Sequence, residues 1–420
     1  MNVIDSKFAF GGWIPDAVAD DITGPSDVGE GFDQETVDLY WMKQALRESM
    51  NAVGISSPNP PVGCVIVKSD KCICRGSTAA YGGAHAETNA LAKVGSVEAE
   101  GATAYVTLEP CSHQGKQGPC VDRLIDAKIK RCVIGLEDPN PLVAGKGIEK
   151  LRESGVEVVV GVLNQACWMW LSPFYQTITT NKIFVALKWA QTLDGHLADD
   201  QNSSKWITGP LARRYTHWLR QKYDLIMVGA GTVLADNPTL NVRDCRHIQR
   251  HPVKVVFDPQ GRVLKASKKK LDELEKTIFN RKMSKVIYAT AEHVDESFAD
   301  EFNLEILPLK NKENAIQEVL EALELGNLHE NLDVPPFQSI LVEGGPRLLS
   351  MFFNLERFDC IHTFIAPTIL SGTTNRIGPM TAVNQLTDIS RYKNVVTAQL
   401  GDDILLEMVA PEVFSQWEAL

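Results

Sequence analysis

Residues 35–53, ETVDLYWMKQALRESMNAV, place Leu39, Met42, Ala45, Leu46 and Met50 at helical spacing, which predicts an amphipathic helix. The Pro-rich stretch SPNPPVG stops it, and the apolar run CVIV (64–67) reads as a buried strand. Beyond that the period alternates. Helices are expected at 85–94, 118–128 and 147–155, and strands at 103–109, 131–136 and 156–162. Such alternation predicts an α/β sandwich with parallel strands. A second series begins near residue 182 with the strand KIFVALKWA and the helix GPLARRYTHWLRQK. The strand DLIMVGAGTV then runs into a Gly-rich turn, and HPVKVVFD, 285–290, 338–345 and 360–367 read as further strands.

The two series imply two domains, as does the length: 420 residues exceed one core of ordinary size, at about 100–200 residues per domain. The break is expected around 172–182, in SPFYQTITTN, giving domains at 35–172 and 182–420. The stretch 262–337 is rich in Lys and Glu, and its elements are hard to delimit. The first 35 residues carry eight acidic side chains against one Lys, so residues 1–34 are expected to form an acidic, flexible leader.

Composition narrows the class. The chain is 44% hydrophobic and 23% charged, as in soluble globular proteins, and no apolar run approaches the roughly 20 residues that span a bilayer. A net charge of −11 argues against nucleic acid as partner. The start of the chain lacks the basic and apolar segments of a secretion signal. Nine Cys at spacings that suggest no disulfide framework point to a reducing cytoplasm, where Cys pairs more often hold metal.

His85, Cys111 and Cys120 are then three ligands suited to zinc, which in catalytic sites takes three protein ligands and keeps a fourth position for water. Such water is acidified to a pKa near 7. Glu87, two residues from His85, can carry protons without ligating. Zinc deaminases show His-x-Glu followed by Pro-Cys-x-x-Cys, with the Glu as general acid and base. Here His-Ala-Glu and Pro-Cys are present, but eight residues separate the two Cys. In the second series, MVGAGTVLADNPTLNVR and LVEGGPRLLS each lead a strand into a Gly turn, where backbone N–H groups can approach a phosphate. The G-x-G-x-x-G spacing of a Rossmann site is absent.

SPNPPVGCVIV, HAE and TLEPCSHQGKQGPC closely resemble the deaminase half of the bifunctional riboflavin-biosynthesis deaminase/reductase family. The resemblance implies a cytidine-deaminase-like α/β/α sandwich, with His113 and Lys116 on the ribose phosphate and Asn59 on the pyrimidine. Thr78 stands where that family usually has His. ALKWAQTLDGHLA, SSKWITGPLARR, LRQK, GAGTVLADNPTLNVR and VEGGPRLL resemble the family's reductase half, which is similar to dihydrofolate reductase in fold and uses NADPH. It implies cofactor contacts at Ala190, Trp206, Thr232, Asp236, Leu240 and at Gly345, Pro346 and Arg347. Substrate contacts are implied at Ser204, Arg220, Arg243 and Glu343, with Lys188 and Asp194 close enough to position the sugar. Arg213 and Arg214 read as a solvated helix face.

The resemblance covers roughly residues 36–375, and the leader has no counterpart in it. It implies zinc-dependent hydrolytic deamination of 2,5-diamino-6-ribosylamino-4(3H)-pyrimidinone 5′-phosphate, then NADPH-dependent reduction of the ribosyl to a ribityl chain. The expected partner is this small molecule, with neither nucleic acid nor membrane, in a homo-oligomer. Three rival readings remain: a paralogue doing related chemistry in specialised metabolism, a nucleobase or nucleic-acid deaminase with an unrelated appendage, and a non-catalytic nucleotide-binding regulator with a structural zinc.

Overall fold

The computed structural model describes residues 33–94, 96–113, 118–141, 143–201, 203–244, 250–280, 282–372, 392–411 and 413. The chain divides into two compact units between Lys182 and Ile183. The leader lies outside the described residues up to 32; Asp33 caps the first helix by accepting from the Thr36 N–H at 2.8 Å.

The first unit runs α1 (Gln34–Ser49), β1 (Gly63–Lys68), β2 (Lys71–Ser77), α2 (Ala86–Val94), α3 (Ser96–Ala99), β3 (Thr103–Val106), α4 (Cys120–Asp126), β4 (Arg131–Ile134), α5 (Lys146–Glu153), β5 (Glu157–Val160) and α6 (Asn164–Thr180). Its sheet has the order β2-β1-β3-β4-β5. Strands β2, β3, β4 and β5 run in one direction, and β1, between β2 and β3, is antiparallel to both. The expectation of parallel strands fails only at β1. Ser69 and Asp70 both take positive φ (50° and 58°), the two-residue hairpin geometry that joins antiparallel neighbours.

Helix α1 buries Trp41, Met42, Ala45 and Leu46, and also Asp38. The acid is tolerated because Arg131 binds it through both Nη1 and Nη2 at 2.7 Å and Tyr105 donates to it at 2.9 Å, which ties the helix to the sheet. The stretch read as a junction is part of α6. Pro173 lacks the N–H that would bond the Met169 carbonyl, and Ser172 Oγ takes that acceptor at 3.1 Å. Trp168, Trp170, Leu171 and Tyr175 give this helix a buried face.

The second unit opens with β6 (Phe184–Thr192), α7 (Pro210–Lys222), β7 (Leu225–Gly229), α8 (Ala230–Asp236) and β8 (Val253–Phe257). It continues with α9 (Lys268–Glu275), β9 (Val286–Thr290), α10 (Glu296–Phe302), β10 (Leu304–Pro308), α11 (Ala315–Glu324) and α12 (Asn327–Asn331). It closes with β11 (Ser339–Glu343), α13 (Pro346–Asn354), β12 (Cys360–Ala366), β13 (Lys393–Leu400) and β14 (Asp403–Val409). The sheet order is β10-β9-β8-β7-β11-β6-β12-β14-β13. Strands from β10 to β12 are parallel, and β14 is antiparallel to β12 and β13. Among its described residues the Lys/Glu-rich stretch thus holds four helices and two strands, while Phe279, Tyr288 and Phe302 enter the core. Among the described residues no helix is long and apolar enough to cross a membrane.

Candidate active sites

In the first unit, β2 and α2 lie almost in contact. A Cβ on Gly76 would sit 2.4 Å from the Ala86 carbonyl oxygen, so only glycine admits the helix there. The Asn89 side chain donates to the Ser77 carbonyl at 2.8 Å and pins the first turn of α2 to the strand. His85 therefore projects at the start of a fixed helix. Cys111 follows Glu109 and Pro110, and the Glu109 carboxylate accepts from four backbone N–H groups, those of Asp138, Gly145, Gly147 and Ile148, at 2.8–3.2 Å. Cys120 is the first residue of α4, and its N–H points at Cys111 Sγ, 3.4 Å away.

These elements bring His85 Nδ1 to 3.5 Å from both Cys111 Sγ and Cys120 Sγ. Among the described residues no fourth His, Cys, Asp or Glu joins the cluster. The hydrogen bond from Cys120, followed by that from His85, pulls the Cys111 thiol down to about 4, and the same pairing with Cys111 pushes Cys120 up. His85 is raised, chiefly by its bond to Cys111. Glu87 is only 3% exposed. Burial raises its carboxyl to about 7, with the charge of Cys111 adding to the effect.

The remaining residues expected here separate. Asn59 lies in the loop before β1, half-buried, and no described residue bonds its side chain. His113 is exposed, and its charge acts on Asp138, a carboxylate that burial lifts to about 6. Asp138 was not singled out from the sequence, because DPN after a strand reads as an ordinary turn. Lys116 lies outside the described residues. Thr78 is buried, and its Oγ1 accepts from the Val62 N–H at 3.1 Å.

In the second unit, the adjacent parallel strands β7, β11 and β6 end on one cavity of about 990 Å³. Carboxyl ends of parallel strands are where open α/β sheets bind ligands. Lys188 and Ala190 reach the cavity from β6, Thr232 and Asp236 from α8, and Leu240 and Arg243 from the loop beyond. Glu343 ends β11, and Gly345, Pro346 and Arg347 form the start of α13, with Pro346 at its first turn. Ser204, Trp206 and Arg220 complete the expected set.

Arg220 grips Glu343 through two bonds, Nε to Oε1 at 2.7 Å and Nη2 to Oε2 at 3.0 Å, and Lys188 Nζ lies 3.8 Å from Oε2. Burial opposes ionisation of Glu343, but Arg220 and then Lys188 outweigh it and hold the carboxyl at about 2. Burial lowers Lys188, against the pull of Glu343. Trp206 is 68% exposed and carries the Arg213 guanidinium over its ring, 4.6 Å from the centroid. Arg213 lines the cavity, which corrects its reading as a solvated side chain. Asp194 does not line it. Its carboxylate accepts from Thr192 Oγ1 at 2.5 Å and from the Leu370 and Ser371 N–H groups, so it shapes a turn instead of facing the cavity. His217, Arg262 and Lys312 line the cavity and were missed, since nothing in their local sequence marks them.

Residues 35–136 match the family described as the cytidine and deoxycytidylate deaminase zinc-binding region, and residues 183–406 match the RibD C-terminal domain. The riboflavin biosynthesis protein RibD of Aquifex aeolicus is 36% identical over 371 residues, 88% of this chain and 98% of that protein. The Escherichia coli RibD is 31% identical over 383 residues, 89% and 99% of the two chains. The chain belongs to the RibD family. The crystal structure of a Thermotoga maritima diaminohydroxyphosphoribosylaminopyrimidine deaminase/5-amino-6-(5-phosphoribosylamino)uracil reductase superposes with a TM-score of 0.74 at 34% identity, covering 90% of this chain and all of that one. The RibD of Acinetobacter baumannii gives 0.72 at 32%, covering 90% and 99%. This RibD chain is a bifunctional riboflavin-biosynthesis enzyme, with an N-terminal deaminase domain and a C-terminal reductase domain.

The donor sets fit the two groups a RibD enzyme uses. Around one ion at ordinary Zn–N and Zn–S lengths, a tetrahedral angle separates nitrogen from sulfur by about 3.5 Å, the spacing His85 keeps to both sulfurs. The second cavity offers Lys205, Arg213, Arg262, Lys312 and Arg347, and the start of α13, to the negative charges of NADPH.

Proposed function

We propose that residues 35–172 catalyse the deamination and residues 182–420 the reduction, with the roles that follow. His85, Cys111 and Cys120 hold zinc, which when bound supplies a Lewis acid that makes water nucleophilic at neutral pH. Glu87 takes the proton from that water and delivers it to the departing amine. A carboxyl poised near 7 and shut off from bulk solvent can do both. Asn59 orients the pyrimidine, and His113 and Lys116 bind the ribose phosphate. Thr78 is occupied with Val62, so the phosphate is held without the imidazole that the family usually places there.

In the reductase domain, Ala190, Trp206, Thr232, Asp236, Leu240 and the turn Gly345–Arg347 hold NADPH, which when bound supplies hydride. Ser204, Arg220, Arg243 and Glu343 hold the substrate. Net reduction places hydride on the sugar C1′, breaks the bond from C1′ to the ring oxygen, and gives that oxygen a proton. Lys188, whose Nζ lies 3.8 Å from Glu343 Oε2, supplies that proton. The enzyme works on this small molecule in the cytoplasm, as a homo-oligomer; the described cysteines, all free thiols, suit that compartment.

The observation that carries this reading is the cluster of three zinc ligands beside a buried carboxylate, on a chain whose other unit holds a cation-lined cavity. The test follows ammonia and NADPH together, with 2,5-diamino-6-ribosylamino-4(3H)-pyrimidinone 5′-phosphate as substrate. Ammonia release should precede NADPH oxidation. A zinc chelator should stop both, and the deaminated intermediate should restore NADPH oxidation alone. Oxidation with no prior ammonia release would show that the order, or the substrate, is wrong.

A further inference from the structure

His217 sits on α7, one turn from Arg220, and lines the reductase cavity while only 5% exposed. Its Nδ1 lies 3.0 Å from the Asn241 carbonyl oxygen. A carbonyl only accepts, so Nδ1 carries the hydrogen. Arg220 Nη1, 3.5 Å from the same nitrogen, donates to that carbonyl instead, at 3.3 Å. The tautomer is thereby fixed, and Nε2 is left as a bare lone pair.

No described residue bonds Nε2, yet it is not among the buried polar atoms without a partner, so it opens on the cavity. Charge keeps the lone pair bare. Burial first, then the guanidinium groups of Arg220 and Arg243, hold the imidazole down at about 4, against the opposing pull of the Asn241 carbonyl and Glu343. The charged groups that act on the ring are Arg220 and Arg243, which donate, and Glu343, which Arg220 already engages.

We infer that His217 is a substrate-binding residue of the reductase site, accepting through Nε2 a hydrogen bond from a hydroxyl or N–H donor of the sugar–pyrimidine substrate. A lone pair repels a phosphate. His217 therefore sorts the two ends of the substrate, leaving the anionic end to Arg243 and drawing the donor-bearing part toward Arg220 and Glu343. The inference rests on the reductase reading of this cavity and names a residue which that reading does not use.

The test is steady-state kinetics of the full-length enzyme, with the deaminated intermediate and NADPH varied in turn. His217→Phe keeps a flat ring and removes both nitrogens. Leaving a substrate donor unsatisfied should raise KM for the intermediate about five- to hundredfold. KM for NADPH and the rate of ammonia release from the diaminopyrimidine should stay as in the wild type. His217→Gln, whose amide oxygen can accept and whose NH₂ can serve Asn241, should recover most of the loss. An unchanged KM in His217→Phe overturns the inference, as does an equal rise in KM for NADPH or a Gln variant no better than Phe. If the Phe variant does not fold, His217→Met against His217→Gln gives the same comparison. A wild-type enzyme that does not oxidise NADPH with the intermediate defeats the reductase reading itself; an active wild type with indifferent variants defeats only the role of His217.

Discussion

Glu87 shows how much one residue's surroundings decide. Two residues from a metal ligand and almost sealed from solvent, it is a carboxyl lifted to about 7. Gln fills the same space and cannot carry a proton. Glu87→Gln should keep its zinc, measured as metal per chain, and lose about 10²–10⁴-fold in ammonia release. NADPH oxidation on the deaminated intermediate should be untouched, since no residue of that cavity comes from the first unit. At this scale the sequence spoke plainly where chemistry demands a rare residue type. His85, Cys111, Cys120, Arg220 and Glu343 all stand in geometric company that suits the roles proposed for them. It misled where a residue type serves structure as well as chemistry: Asp194 closes a turn, and His217 looks like any helical histidine.

At the scale of elements, function rests on helices held close to strands. Gly76 lets α2 touch β2, and a methyl group there would meet backbone, which cannot swing aside. Gly76→Ala should cost about 1–3 kcal/mol in stability. It should also lower zinc content, because α2 carries His85 and Glu87 at its start; thermal unfolding and metal analysis would read the two effects. Helix α7, which carries Arg220 and His217, is anchored differently. Tyr215 donates to Glu407 at 3.0 Å, and His362 bridges Glu407, at 2.8 Å, to the Tyr223 hydroxyl, at 2.7 Å, just beyond the helix. Burial opposes charge on His362, but Cys360 and Glu407 beside it outweigh burial and raise its pKa from the ordinary 6.5 to about 9. A raised pKa means the folded state binds the proton more tightly. The stabilisation, on the order of 3 kcal/mol, is complete below the ordinary histidine pKa and is lost as pH rises through the folded value. The stability gap between wild type and His362→Gln, from denaturant unfolding, should therefore be largest near pH 6 and shrink toward about pH 9.5.

For the whole molecule, each site is assembled from one unit alone. The His/Cys/Cys cluster and Glu87 fall before residue 182, and every cavity residue falls after it. Two full-length variants, each dead at one site, should then complement each other. Glu87→Gln mixed with Lys188→Met should release ammonia and oxidise NADPH from the diaminopyrimidine, although neither does both alone. Lys188→Met leaves Glu343 gripped by Arg220, so its fold should persist. A silent mixture would mean that the sites share residues or that the intermediate never leaves the chain.

Local order was legible before any coordinates. The amphipathic run of α1, the buried run of β1 and the Gly–Pro start of α13 are dictated by neighbours a few residues apart, and hydrophobic period and turn chemistry report such neighbours well. The residue types that can bind zinc or pair with a carboxylate were equally visible. Which of them meet was settled by sheet order and helix packing. Arg220 and Glu343 are 123 residues apart in the chain and 2.7 Å apart in space, because α7 and the end of β11 line one cavity. The antiparallel β1–β2 hairpin, the burial that tunes Glu87 and the bare Nε2 of His217 likewise depend on which distant groups come to lie alongside. Local pattern carries no record of those neighbours, because desolvation and charge act through space and not along the chain.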